Sequence, residues 1–237
     1  MTDSRRYREI GVTPLSQALG AQIDGVDLSQ PLSDSVMVEL KDAFATYSVI
    51  FFRDQSLSPQ QHIALAGQWG EVDIDRCFKP LEGYPQIAEV IKEPDQEENI
   101  GGTWHTDHSY DQFPATGSML YARQVPPAGG DTLFSSMTLA FEALSDGMKK
   151  TLLGLNAWHS SRHAFGYGVS DSEHYEDGRL ANPELAVQDA LHPVIITHPL
   201  SGKKALYVNA DFTVRFDGWT IEESQPVLDF LYAHGAR

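Results

Sequence analysis

Short apolar and β-branched runs recur through the middle of this 237-residue chain, each stopped within a few residues by Gly, Pro, Asp or Ser. Such runs read as strands joined by turns. They fall around Thr103–Ser109, Thr116–Gln124 and Gly130–Ser135, then at Pro193–His198 and Lys204–Asn209. The last two flank Ser201-Gly202, as the arms of a hairpin do. Ser48–Arg53 reads as a buried strand, and another is expected near Ile87–Ile91. Helical patterns sit at the start, centre and end of the chain. Ser33 precedes a face made of Val36, Leu40, Phe44 and Tyr47. Ser58-Pro59-Gln60-Gln61 sets a cap, a Pro at the first helical position and a Gln three residues after the cap, so a helix is expected to Trp69, ending at Gly70. Further helices are expected over Thr138–Leu144, Ser145–Leu155 and Glu222–His234. There is no βαβ alternation and no Gly-rich phosphate loop. The pattern therefore predicts a mainly β fold with flanking helices, built on two antiparallel sheets. It reads as one domain over residues 1–237, with lid-like loops at about 71–103 and 158–190.

Charge narrows the partners. Lys plus Arg number 17 against 33 Asp plus Glu, a net charge of −16. That balance argues against nucleic acid or an anionic membrane as a partner and leaves a small molecule as the expected one. A homo-oligomeric state stays open. No run of 18 apolar residues is present, and no apolar stretch follows the basic residues of MTDSRRYREI. The single cysteine, Cys77, can form neither an internal disulfide nor a Cys-based zinc site, so the expected compartment is the reducing cytoplasm.

Nine histidines beside one cysteine make histidine the residue to follow. In Trp104-His105-Thr106-Asp107-His108, His105 and Asp107 are two apart, and on a strand they share a face. An imidazole and a carboxylate placed so are two parts of the 2-His-1-carboxylate set of non-haem Fe(II) oxygenases. Spacing alone is weak, because chance supplies roughly one His-x-Asp in a chain of this composition. His174-Tyr175-Glu176 is such a chance match in a polar loop, and a plain hydrogen-bonded strand pair explains His105 and Asp107 equally well. Downstream, Gly129-Gly130-Asp131-Thr132-Leu133 reads either as a structural turn or as backbone that can approach a ligand closely, with the Thr132 hydroxyl beside it.

Taken in order, several motifs resemble one family. They are Trp104-His105-Thr106-Asp107, Gly129-Gly130-Asp131-Thr132-Leu133, His192-Pro193-Val194, Thr197-His198-Pro199 and Tyr207-Val208-Asn209. Near the N-terminus, Thr13-Pro14-Leu15, Gly20-Ala21-Gln22-Ile23 and Phe52-Arg53-Asp54-Gln55 join them. The chain is similar from about residue 10 onward to the taurine dioxygenase (TauD/TfdA) family of Fe(II)- and 2-oxoglutarate-dependent dioxygenases.

The resemblance implies a double-stranded β-helix, or jelly roll, with helices around it. It implies that His105 and Asp107 are iron ligands and that Thr132 bonds the 2-oxoglutarate carboxylate. It implies hydroxylation of a small organic substrate by O₂, with release of succinate and CO₂. The family's third ligand, a distal His, and its cosubstrate Arg belong to strands beyond the helix that matches Pro226–His234. The chain is thus expected to be C-terminally incomplete, with those strands missing and His234 not a ligand. Phe165 and Phe212 match the apolar pocket wall, and core packing is their plainer explanation. Asp75 matches the position where taurine-specific members hold the sulfonate with a His. A carboxylate there is expected to disfavour taurine unless Arg76 or Lys79 compensates. His108 is expected to face away from the metal. Two rival readings are a truncated, catalytically inactive binding or scaffold homologue and a zinc hydrolase, the second lacking a His-Glu-x-x-His helix.

Overall fold

Ser33, Ser58, Ser145 and Thr220 each accept a hydrogen bond from the backbone N–H three residues on, and each starts a helix at the next residue. These caps frame the computed structural model, which describes residues 6–97, 99–169 and 172–237. Residues 1–5, Glu98 of an acidic stretch, and residues 170 and 171 of the second loop lie outside the described residues. The contacts gather into two units. One is formed by Met1–Val72, Met119–Leu139 and Thr197–Lys204, the other by Asp73–Ser118, Ala140–Ile196 and Ala205–Arg237.

In the first unit, β1 (Gly11–Pro14) pairs antiparallel with β2 (Ala21–Asp24). Helix α1 (Asp34–Tyr47) leads into β3 (Ile50–Phe52), which lies parallel to β2. The helix lays Met37, Leu40 and Ala43 against Ile10, Val12, Ala21 and Ile23. Leu40 is fully buried, so truncation to Ala there carries the ordinary core cost of about 2–5 kcal/mol. The Glu39 carboxylate accepts from the N–H groups of Arg8, Glu9 and Ile10 and fastens the entering chain to α1. Helix α2 (Pro59–Trp69) has the full capping box between Ser58 and Gln61 that its sequence predicts. Leu65 of α2 packs with Leu28, Leu57, Met119 and Tyr121, and the Tyr121 hydroxyl accepts from the N–H of Leu57.

In the second unit, β4 (Pro80–Leu81) and β5 (Tyr84–Ala88) form a small hairpin. Helices α3 (Met137–Ala143), which starts in the first unit, and α4 (Asp146–Leu152) lead into β6 (Asn156–Ser160). Single short turns α5 (Arg162–Phe165) and α6 (Glu173–Glu176) precede β7 (Asp189–Pro193). Strands β8 (Ile195–Thr197) and β9 (Lys204–Leu206) form a hairpin whose turn at Ser201-Gly202, with Gly202 at φ 68°, lies in the stretch Thr197–Lys204 assigned to the first unit. Strand β10 (Thr213–Phe216) and helix α7 (Ile221–Gly235) close the unit. Its central sheet is antiparallel in the order β10-β6-β7 and places His159 opposite both Ala190 and Thr213. Helix α7 buries Leu228 and Leu231, and its Ser224 hydroxyl accepts from the N–H of Phe216 while donating to the Thr220 carbonyl. Pro226 sits inside α7 without ending it.

Three expected strands are not formed. Between β5 and β6 no strand occurs among the described residues, so Thr103–Ser109 is irregular backbone entering a turn at Asp107 and 116–136 is irregular. Leu120, Val125, Leu133 and Phe134 are exposed in that stretch. A β-prone run becomes a strand only when a neighbour takes its N–H and C=O groups, and no paired strand lies beside this one among the described residues. Conversely, β6 and β10 were not expected. Asn156–Ser160 buries His159 and Ser160, so its inward face does not read as apolar.

Candidate active site

The segment 101–111 belongs wholly to the second unit and carries the His-x-Asp pair without being a strand. Turn geometry, not strand alternation, brings the two side chains together. Gly101 stands at φ 69°, and a Cβ there would lie 3.3 Å from His105 Cε1, so glycine is needed twice over. His105 Nδ1 is 2.8 Å from the Thr103 carbonyl. That contact assigns the proton to Nδ1 when the ring is neutral and leaves the Nε2 lone pair pointing at Asp107 Oδ1, 3.2 Å away. Ser118 donates to Asp107 Oδ2 at 2.6 Å, and Thr103 Oγ1 donates to Asp211, whose Oδ2 is 3.6 Å from His105 Nδ1. The His105 ring meets Phe212 edge-on at 6.4 Å.

A proton or a metal ion can bridge Nε2 and Oδ1. The hydrogen bond that His105 donates to the Asp107 carboxylate raises the His105 pKa to about 9 against the opposing effect of burial, with the Thr103 carbonyl and Asp211 adding to it. The same bond, with Ser118, holds Asp107 at about 2. The separation of 3.2 Å is close to that between adjacent ligand atoms of one first-row metal ion. The backbone bond on the far ring nitrogen is the usual orienting contact of a metal-bound histidine. The pair fits a metal.

Asp75 belongs to a different cluster, built on His108. Its Oδ1 accepts from the N–H groups of Cys77 and Phe78, and its Oδ2 lies 3.6 Å from His108 Nε2. Burial works to raise the Asp75 pKa, but His108 and the two N–H groups overcome it and hold the carboxyl below its ordinary value. The carboxylate is therefore an ionised anchor of its own loop, facing His108. His108 Nδ1 is 3.1 Å from Asp111 Oδ2 and 3.5 Å from Asp73 Oδ2. Asp75, then Asp111, raise the His108 pKa to about 9. Asp73, His108 and Asp111 could themselves hold a metal ion. Three carboxylates there, Asp73, Asp75 and Asp111, face two cations, His108 and Arg76, whose Nη1 lies 3.0 and 3.2 Å from the two oxygens of Asp111. Sequence reading missed this cluster; the His108-x-x-Asp111 spacing was its one visible signal.

Phe165 and Phe212 do come together, 5.8 Å between rings, with Tyr110 4.8 Å from Phe212 and Phe78 6.3 Å from Phe165. Thr132 lies in the first unit on an exposed irregular segment, after Gly129 at φ 81° and Gly130 at φ 73°. His234 is spoken for: its Nε2 meets the Ala140 carbonyl at 2.8 Å and its ring stacks on Phe230. His174 belongs to the turn α6, away from the His-x-Asp motif in sequence, and its carbonyl accepts from Leu180.

Comparison with known proteins gives this geometry a context. The model of the taurine catabolism dioxygenase TauD, TfdA family matches residues 11–237. An alpha-ketoglutarate-dependent 2,4-dichlorophenoxyacetate dioxygenase of Burkholderia sp. (strain RASC) is 31% identical over 232 residues, covering 91% of this chain and 76% of the relative. An alpha-ketoglutarate-dependent sulfonate dioxygenase of Saccharomyces cerevisiae is 28% identical over 235 residues, covering 94% of this chain and 55% of the relative. A crystal structure of a taurine dioxygenase from Burkholderia xenovorans aligns with TM-score 0.76 and 30% identity, covering 97% of this chain and 74% of that one. The chain spans less than two thirds of the length of several curated relatives, 64% for one of Penicillium expansum and 57% for one of Schizosaccharomyces pombe. The fold class is the jelly roll with flanking helices, as in those structures. On the match over residues 11–237, the chain belongs to the TauD/TfdA dioxygenase family.

Proposed function

We propose that this chain, as one dioxygenase domain, carries an Fe(II)- and 2-oxoglutarate-dependent centre that hydroxylates a small organic substrate and releases succinate and CO₂. The observation that carries the proposal is the convergence of His105 Nε2 and Asp107 Oδ1 at 3.2 Å in a member of this family. His105 and Asp107 would hold the iron, and Thr132 would donate to a carboxylate of 2-oxoglutarate. Iron with that cosubstrate and O₂ supplies the oxidant. The protein supplies geometry and shelter. Thr103 sets the His105 ring and Ser118 sets the Asp107 carboxylate. Tyr110, Phe165 and Phe212 offer an apolar wall beside His105 that excludes water and orients the hydrocarbon part of a substrate. The relatives named above act on a sulfonate and on an aryloxyacetate, which supports a small organic acid as substrate class. Among the described residues no helix is long and apolar enough to cross a membrane. The single, buried Cys77 supports a reducing cytoplasm.

The test is succinate formation from 2-oxoglutarate by the purified full-length protein with Fe(II) in air, with sulfonates and aryloxyacids as candidate substrates. Substrate-stimulated succinate is expected, together with a weak visible charge-transfer band when Fe(II) and 2-oxoglutarate are added without O₂. Absence of both sinks the proposal.

A further inference from the structure

Two residues after Asp107 the chain enters the core. Ser109 is fully buried, and its hydroxyl meets Asn209 Nδ2 at 3.0 Å and His159 Nδ1 at 3.1 Å. Thr213 Oγ1 closes the group, 3.3 Å from His159 Nδ1 while accepting from the N–H of Asn209. Asn209 Oδ1 in turn accepts from the N–H of Phe212. All of these side chains are nine-tenths buried or more. A buried polar group is expensive unless bonded, so such a network holds one arrangement and resists others.

The segment it holds is under strain. His108, between Asp107 and Ser109, has φ 55°, a left-handed value that a residue with a Cβ keeps only when its surroundings impose it. Two anchors lie just beyond it. One is the Ser109 hydroxyl; the other is the Asp111 carbonyl, 2.9 Å from His192 Nε2 on β7. Both anchoring histidines stand on neighbouring strands of the central sheet, His159 on β6 and His192 on β7. The sheet thus grips the turn immediately after the carboxylate ligand.

We infer that Ser109, with Asn209 and His159, is a positioning residue for the metal centre: the buried network fixes the turn that presents Asp107 to the ion. The inference rests on the metal reading of His105 and Asp107. It also accounts for an exposed ligand pair on irregular backbone keeping a defined geometry, since metal ligands hold their place through the groups behind them.

The experiment measures Mn(II) affinity of the whole protein by the loss of the free-ion electron paramagnetic resonance signal, alongside the thermal midpoint. Ser109→Ala is expected to weaken Mn(II) binding about 10-fold or more, the range seen when outer-shell partners are removed. Asn209→Leu, which keeps the volume, should weaken it in the same direction. Ser224→Ala is the comparison, because it deletes an equally buried, doubly bonded hydroxyl at the start of α7. It should lower the thermal midpoint and leave Mn(II) affinity as it is. If folded Ser109→Ala and Asn209→Leu bind Mn(II) like the unaltered protein, or if Ser224→Ala weakens binding as much, the inference is overturned while the metal reading stands. If the unaltered protein takes up no Mn(II), the metal reading falls and the inference with it.

Discussion

His105 and Asp107 face each other across 3.2 Å, and each is held from behind by a different partner, the Thr103 carbonyl for the imidazole and the Ser118 hydroxyl for the carboxylate. Asp107→Ala should therefore abolish tight metal binding, since it removes the only carboxylate of the pair. His174→Ala should leave binding intact. Isothermal titration with Mn(II) separates them, and binding lost in the His174 variant but kept in the Asp107 variant would reverse the choice of site.

Gly101→Ala should act on the same pair from the other side. The new Cβ meets His105 Cε1 at 3.3 Å and the left-handed φ of 69° is itself unfavourable to alanine, a cost of about 1–2 kcal/mol. Gly83→Ala carries a similar φ of 79° with nothing within 4 Å. Both variants should lose stability to a similar degree in urea, and only Gly101→Ala should also lose metal affinity. Equal metal affinity in the two would mean that His105 yields to the methyl group without cost to the site.

Much of this was legible because local chemistry set it. The capping box of Ser58 and Gln61, the cap at Ser33, the turn at Ser201-Gly202 and the helix over Glu222–His234 each depend on residues within a few positions of one another. The His105–Asp107 pair was legible too, but for the wrong local reason. A strand would have put the two on one face; the turns around Gly101 and His108 bring them together instead. What stayed hidden is long-range and polar. The bond from Asn209 to Ser109 spans 100 residues and that from His159 to Ser109 spans 50. Buried His and Ser side chains in Asn156–Ser160 conceal the central strand, because an alternation search looks for apolar residues. Asp75 was placed beside the substrate by resemblance alone, and the bonds from the N–H groups of Cys77 and Phe78 to one of its oxygens gave no signal in that match.

The loop anchoring by Asp75 carries its own test. Asp75→Ala removes two hydrogen bonds from backbone N–H groups to a carboxylate, as well as the carboxylate facing His108. The expected loss is about 2–3 kcal/mol in equilibrium unfolding. Asp75→Asn keeps a carbonyl oxygen for Cys77 and Phe78 and should recover much of it. A loss in the alanine variant below about 0.5 kcal/mol, the scatter of ordinary surface changes, would show that the carboxylate anchors nothing.

The last prediction concerns pH and the fully buried His159. Burial, with the neighbouring His192, pushes its pKa down to about 3. In the unfolded chain the group titrates near 6.5. Above that value both states are neutral and the residue adds no pH dependence. As pH falls below it the unfolded chain gains a proton that the folded chain refuses, so stability drops with falling pH down to the folded pKa. At pH 5 the loss from this one residue is about 2 kcal/mol. His62 and His198 are also shifted down by burial and add slope of the same sign. His105 and His108, raised to about 9, act in a different window: their contribution is whole below pH 6.5 and is lost as pH climbs toward 9. The difference between the unaltered protein and His159→Gln therefore isolates His159. Urea unfolding at pH 7.5, 6 and 5 should show the variant less stable at pH 7.5, through the lost packing, yet flatter toward acid, so that the gap narrows by about 2 kcal/mol at pH 5. Parallel curves for the two proteins would mean that His159 accepts a proton in the folded state and that its burial is not maintained in acid.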